Sequence, residues 1–445
     1  MYSGGHRAPF RLATVTGSGP AVIYMQLFIL LIQLLSFWGY PHGGGTLNVK
    51  DFGATGNGVT DDTQAINKAL KAAHDQQESL YFPSGTYLCN TPDTYNNIIS
   101  LDAGGMQSLT IYGQDSTTIL KTTLNASTVL FYLEATSGCS NLVIRNFNFQ
   151  NTHALIPGST NGLFIMGTTA QNFTNLQTSN CYFSGFSLAL CGMGITGWNV
   201  TQNYFGSPLG HDDAGNNSNP AVCLWCFDNT SGRCINVSIT NNIADGYTGT
   251  GPLSALVTHR PMDGFVYGTG YGVTVTGNTT RHFSEEHYVL QPKTTYSSDT
   301  TSTLISNNYL DCSLVSGIEN SDGSPHLTNY GIRCDISNAT ISNNTMVNYT
   351  YGIMLRAVEY PTVSLHSYVI TGNQLHSATD SVNYDVSAGI IIQSNANPIT
   401  DIRLMNNDIY TPFPDKANIV RTILVEETAN VHRILITNNT IHLIQ

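Results

Sequence analysis

Short β-branched runs ending in an Asn-rich turn recur ten times along this 445-residue chain, and that recurrence constrains the fold more than any other feature. The clear copies are Val237–Asn242, Val273–Asn278, Thr303–Asn308, Ala339–Asn344, Tyr368–Asn373, Ile402–Asn407 and Ile434–Asn439, with weaker copies ending at Asn151, Asn180 and Asn203. From Asn242 onward the steps are 36, 30, 36, 29, 34 and 32 residues. Irregular periods of this size indicate a solenoid whose coils differ in loop length. Alternating apolar and hydroxyl residues fit strands with one buried face. Asn tolerates the left-handed backbone of a sharp corner, and stacked Asn side chains can hydrogen-bond from coil to coil. The expected fold is all-β: a single-stranded, right-handed parallel β-helix.

A continuous stack of coils absorbs a length that would otherwise suggest two or three globular domains. Only 10% of the residues are charged and 41% are hydrophobic, which excludes a disordered chain and fits a β-rich extracellular protein. The net charge of -12 argues against a nucleic-acid partner, which requires a basic stripe. An anionic sugar remains open, because Arg260, Arg281, Lys293, Arg333 and Arg356 all fall in the middle coils.

Residues 21–38 are almost wholly apolar, preceded by Arg7 and Arg11 and followed by a Gly-rich stretch. Residues 1–45 therefore read as a secretory signal peptide and linker, with a signal anchor as the alternative. The β-helix occupies 46–445, with an N-terminal cap over 46–90. Nine cysteines leave at least one thiol unpaired. Strand alternation points Cys223 and Cys226 to opposite faces, poor geometry for zinc or a redox pair. Stacked core cysteines are expected instead, and a Cys226–Cys234 bridge stays open. The sequons at Asn125, Asn172, Asn199, Asn236, Asn278 and Asn348 follow from Asn corners beside Thr/Ser strands and are not read as glycosylation.

The most specific segment runs from Leu47 to Ile66, where a strand enters a Gly-rich loop and then a helix. Asp61 is placed to cap that helix, with Gln64 reaching back. Ala65, Ile66, Ala69, Leu70 and Ala73 give it one apolar face, a suitable lid for the open end of a solenoid. The segment NVKDFGATGNGVTDDTQAINKAL, with LYFPSGTY after it, resembles the opening of pectate-lyase-superfamily β-helix proteins of the rhamnogalacturonase and epimerase-like group. The resemblance implies a parallel β-helix acting on polysaccharide, but not which reaction, since hydrolases, lyases, epimerases and phage tailspikes share this opening. The catalytic signatures of polygalacturonases and of mannuronan epimerases are absent, so no catalytic residue is carried over.

A site must therefore be sought in the repeat itself. Aligning the strand after each Asn corner puts Asp228, Gln291, Asp335, Arg356, Gln393 and Glu426 near one line, a polar ladder suited to an extended sugar chain. Long loops on neighbouring coils add His211, Asp212 and Asp213; His259, Arg260, Asp263 and Tyr267; and Arg281, His282, Glu285, Glu286, His287 and Lys293. Coils about 4.8 Å apart would let these loops converge.

Two chemistries could use them. For β-elimination on a uronate chain, Arg260, Arg281 or Lys293 would neutralise the carboxylate, and His259, His282 or Tyr267 would move protons. For hydrolysis, Asp212 or Asp213 would work with Asp263, Glu285 or Glu286 across the bond. The candidate catalytic set is His259, Asp263, Glu285, Glu286, His287, Asp212 and Asp213. Substrate binding is expected from His211, Asp228, Arg260, Tyr267, Arg281, His282, Lys293, Asp335 and Arg356. No metal site is assigned, although the mixture could hold Ca²⁺ through oxygens. The expectation is a secreted polysaccharide-cleaving enzyme, a lyase ahead of a glycoside hydrolase. A non-catalytic glycan-binding or tailspike-like module is the third reading, and the oligomeric state is open.

Overall fold

Each coil consists of three short strands, because one inward apolar column per strand is enough to close a small core on all sides. The structure, a computed structural model, describes residues 45–444 except 125–127, 153–159, 168–172, 207–221, 228–233, 247–263, 269–271, 284–285, 292–300, 314–329, 358–363, 378–385, 395–396, 413–418 and 427–429. The expected signal region falls outside these residues. No helix among them is long and apolar enough to cross a membrane.

Successive coils stack in parallel to give three sheets, which contain 14, 13 and 11 strands among the described residues. The first sheet runs from Thr46–Asn48 to Val431–Thr437, the second from Asn57–Asp61 to Thr440–Ile444, and the third from Asn97–Asp102 to Ile419–Glu426. The solenoid is a right-handed parallel β-helix, as expected. Inside it, Val200, Ile239, Val275, Ile305, Ile341, Ile370 and Leu404 stack in register and are fully buried. Each such side chain contributes about 1.5–3 kcal/mol by leaving water. In the second sheet, Phe149, Phe183 and Phe205 stack with ring centroids 4.9 and 5.1 Å apart.

The Asn corners divide their two tasks between two residues. The first adopts the left-handed conformation, as at Asn241 (φ 54°), Asn307 (φ 55°) and Asn343 (φ 54°), with Gly277 and Gly372 taking the same place. The second is buried and forms the ladder. Asn203, Asn242, Asn278, Asn308, Asn344, Asn373 and Asn407 each donate from Nδ2 to Oδ1 of the next, ending on Asn439, at 2.8–3.1 Å. Each Nδ2, from Asn203 to Asn439, also donates to a carbonyl of the preceding coils, Asn203 to Thr178 and Asn308 to Val275 among them. The weaker copies depart from this pattern. Asn180 is a left-handed corner with Cys181 in the ladder position, and Asn151 ends a second-sheet strand. The sequon at Asn278 is a buried rung of this ladder.

The lid is the helix Thr63–Gln76, which buries Ile66, Ala69, Leu70 and Ala73 against the first coils. Its N-terminal residue is Asp62 rather than Asp61. Asp62 is turned away to hold the backbone N–H groups of Thr55 and Gly56 at 2.7 and 2.9 Å. Asp61 still accepts from the Thr63 N–H at 3.0 Å.

One expectation from strand alternation fails. Cys223 and Cys226 both face the main core, because Cys223 and Leu224 are consecutive inward residues where the chain bends into the third sheet. Ile98–Ile99 and Leu130–Phe131 repeat the arrangement. All nine cysteines are buried and none forms a disulfide, Cys226 and Cys234 included.

Candidate functional site on the third sheet

Beyond each bend, normal alternation resumes and aims one residue per coil outward. In register these are Tyr132, Phe164, Cys191, Trp225, Tyr267, Val289, Arg333, Met354, Ile391 and Leu424. Two apolar clusters form on this outer face, separate from the main core. One joins Leu188, Cys191 and Trp225 with Phe164 and Tyr267, and the other joins Met354, Ala388, Ile391 and Leu424 with Tyr330 and Tyr351. Trp225 meets Tyr267 edge to face at 5.6 Å, and Tyr330 stacks on Tyr351 at 5.1 Å.

The polar ladder runs beside this strip. Arg356, Gln393 and Glu426 are register partners, and the pairing of Leu290 with Cys334 carries the line on through Gln291 and Asp335. Tyr267 Oη donates to Gln291 at 3.0 Å, and Gln393 Nε2 donates to Glu426 at 2.7 Å. Asp335 is fully buried and accepts from Arg333 Nε at 2.8 Å and from the Arg356 backbone N–H at 2.9 Å. A carboxylate so engaged is a fixed positioning group for the two arginines rather than a proton carrier. Arg356, Gln393 and Glu426 are solvent-accessible.

Among the described residues, the candidates fall in different places. Tyr267, Asp335 and Arg356 belong to the third-sheet face. Arg281 and His282 lie instead at the C-terminal end of a strand in the middle of the second sheet, both held by Asp245: Arg281 Nε at 2.7 Å and His282 Nδ1 at 2.9 Å. That hydrogen bond raises the His282 pKa above the usual histidine value, against the opposing effect of burial. The separation arises because Thr279–Arg281 ends a second-sheet strand and a corner intervenes before Glu286–Leu290.

His287 occupies the inward bend position and is fully buried, its Nδ1 2.7 Å from Thr280 Oγ1 and its ring against Phe283. Burial pulls its pKa down to about 3. It therefore stays neutral inside the coil, away from the outer face. His211, Asp212, Asp213, Asp228, His259, Arg260, Asp263, Glu285 and Lys293 lie outside the described residues. Glu286 is described only as the first strand residue. Among the described residues no group of three or more His, Cys, Asp or Glu side chains is arranged to hold a metal ion.

Asp245 escapes the sequence reading of the site, which notes Arg333 as a basic residue of the middle coils but gives it no role. Asp245 looks like an ordinary turn residue until register sets it beside Arg281. The part of Arg333 is visible only from its place as the outward neighbour of Asp335.

Residues 46–101 match the family "Rhamnogalacturonase A/epimerase, pectate lyase-like". That match covers the opening segment and first coils, and with the coils that follow it supports a parallel β-helix whose entry is pectate-lyase-like. An alginate lyase of Azotobacter vinelandii is 58% identical over 41 residues, 9% of this chain and 5% of that protein. The chain spans no more than about a fifth of the length of such curated relatives, from 3% to 19%. A surface adhesin of Streptococcus pneumoniae superposes with a TM-score of 0.63 at 15% identity, covering 90% of this chain and 92% of that one. A tailspike protein of E. coli bacteriophage HK620, solved with a pentasaccharide, gives a TM-score of 0.56 at 11% identity over 88% and 67% of the two chains. At such identities these two likenesses establish the fold alone.

Proposed function

We propose that the protein is an extracellular enzyme that holds an extended polysaccharide along the outer face of the third sheet and cleaves it by β-elimination on a uronate-containing chain. The carrying observation is the in-register row Gln291, Arg356, Gln393 and Glu426, backed by the buried Asp335, beside the partly exposed rings of Tyr267, Tyr330 and Tyr351, which rest on clusters whose other apolar members are largely buried. A sugar chain has apolar ring faces and a hydroxyl-rich edge, and needs both kinds of surface repeated along its length. Arg356 suits a uronate carboxylate, which a guanidinium can engage in two parallel hydrogen bonds.

The chemistry is assigned to residues near third-sheet strands in the sequence, His259, Asp263, Glu285, Glu286, Asp212 and Asp213, with His211, Asp228, Arg260 and Lys293 binding substrate. His287 is left out of this assignment, because its sealed ring has no path to substrate. Hydrolysis by paired carboxylates from the same set is the runner-up. A non-catalytic binding module has one observation in its favour: the two described carboxylates of the row, Asp335 and Glu426, already engage Arg333 and Gln393.

Incubation with a panel of uronate and neutral glycans separates these readings. Elimination gives unsaturated, ultraviolet-absorbing products, hydrolysis gives reducing ends without that absorbance, and a binding module retains glycan with neither. For the lyase, Asp263→Ala or His259→Ala is expected to lower kcat by roughly 10²-fold or more, the usual loss of a general acid or base. Full turnover in every folded variant would remove the catalytic assignment.

A further inference from the structure

The outer face of the second sheet carries a second strip with the features of a ligand surface. Tyr182, Tyr204, Ile243, Thr279 and Tyr309 are register partners on five consecutive coils, all facing outward. Tyr182 and Tyr204 stack with centroids 4.8 Å apart and planes 3° from parallel. Ile243 and Tyr309 are 46% and 43% exposed, unusual for large apolar side chains on a strand.

Two residues along each strand, the adjacent outward column reads Asp245, Arg281, Asp311. The Asp245 side chain is only 5% exposed and is occupied by Arg281 and His282, whose own side chains are 47% and 36% exposed. A buried carboxylate thus fixes an arginine and a histidine at the surface, so little side-chain entropy remains to be lost on engaging an anion. Asp311 is itself held by Ser313 and by Asn348 Nδ2 at 3.2 Å. Tyrosine rings and hydroxyls one column away from a fixed Arg–His pair match the ring and carboxylate of an acidic sugar.

We infer that this strip is a second binding surface for a carboxylate-bearing glycan, in which Tyr182, Tyr204 and Tyr309 meet the sugar rings and Arg281 and His282 meet the carboxylate. The inference rests on the reading of the protein as a polysaccharide-acting enzyme, but it uses a different sheet from the cleavage face. The second sheet precedes the third in each coil, so a long polymer could be held here while another stretch of it occupies the third sheet.

Calorimetric titration of the full chain with a short oligogalacturonate tests this. Wild type is expected to bind two oligomers per chain. Tyr204→Ala and Arg281→Gln should each remove one of the two or weaken it about tenfold, and Tyr204→Phe should restore the Tyr204 effect. Thermal melting of each variant confirms folding. A cello-oligosaccharide should bind this strip at least tenfold more weakly than the oligogalacturonate. Equal binding of the two would overturn the carboxylate assignment. Wild-type stoichiometry that survives both substitutions overturns the second surface alone, whereas a wild type that binds no glycan overturns it together with the cleavage reading.

Discussion

Asn308→Ala is expected to lower the unfolding free energy by about 4 kcal/mol, taking about 1 kcal/mol, the low end of the usual range, for each of four buried polar groups left short of a partner. Asn308 sits in the middle of the ladder, is 2% exposed and serves both neighbours. Its Oδ1 accepts the Asn278 backbone N–H at 2.9 Å and Asn278 Nδ2 at 3.0 Å. Its own Nδ2 donates to Val275 O and Asn344 Oδ1, both at 2.9 Å. Alanine removes all four bonds at once in a site sealed from water. Asn307→Gly, one residue earlier, should be nearly neutral, since the left-handed backbone there (φ 55°) suits glycine at least as well. Chemical unfolding of the two variants beside wild type checks the contrast. A loss below about 1 kcal/mol for Asn308→Ala would show that the ladder is dispensable.

The second large effect is on stability against pH and comes from His287. Its pKa is about 3 in the folded protein, against an ordinary value of 6.5 when unfolded. Between those limits the unfolded chain binds a proton that the folded chain refuses. Stability from this group is therefore complete above about pH 6.5 and falls below it by about 1.4 kcal/mol per pH unit. Near pH 5 the loss is about 2 kcal/mol. His282 has the opposite sign: its raised pKa adds stability that is complete below about pH 6.5 and is lost as pH rises through the folded value. In His287→Leu the acid-side slope should flatten while the His282 component persists, which melting temperatures measured across this range would register. An unchanged slope in that variant would mean that His287 is protonated without unfolding.

These two residues also mark where sequence was legible and where it was not. The coils could be counted because each corner needs a left-handed residue followed by a buried amide, and few residues besides Asn serve both places. Once the corners were aligned, simple counting carried Gln291, Asp335, Arg356, Gln393 and Glu426 onto one line, as the register shows. Counting failed where the chain bends. At Cys223 and His287 an additional residue turns inward, so strict alternation sent Cys223 to the wrong face. The run Glu285-Glu286-His287 was placed together on a loop of the site, although His287 is buried inside the coil. Arg281 and His282 were grouped with the third-sheet residues because they are close in sequence. A corner puts them on another sheet, where Asp245, 36 residues earlier, is their partner.

The most direct test of the central claim is turnover of a uronate polymer by the double variant Arg356→Ala/Gln393→Ala. Both side chains lie on the accessible row and neither fills the core, so the variant should melt close to wild type. If substrate lies along the third sheet, kcat/KM should fall at least tenfold, about 1.4 kcal/mol of transition-state stabilisation. Wild-type kcat/KM in the folded double variant would place the substrate elsewhere and contradict the account.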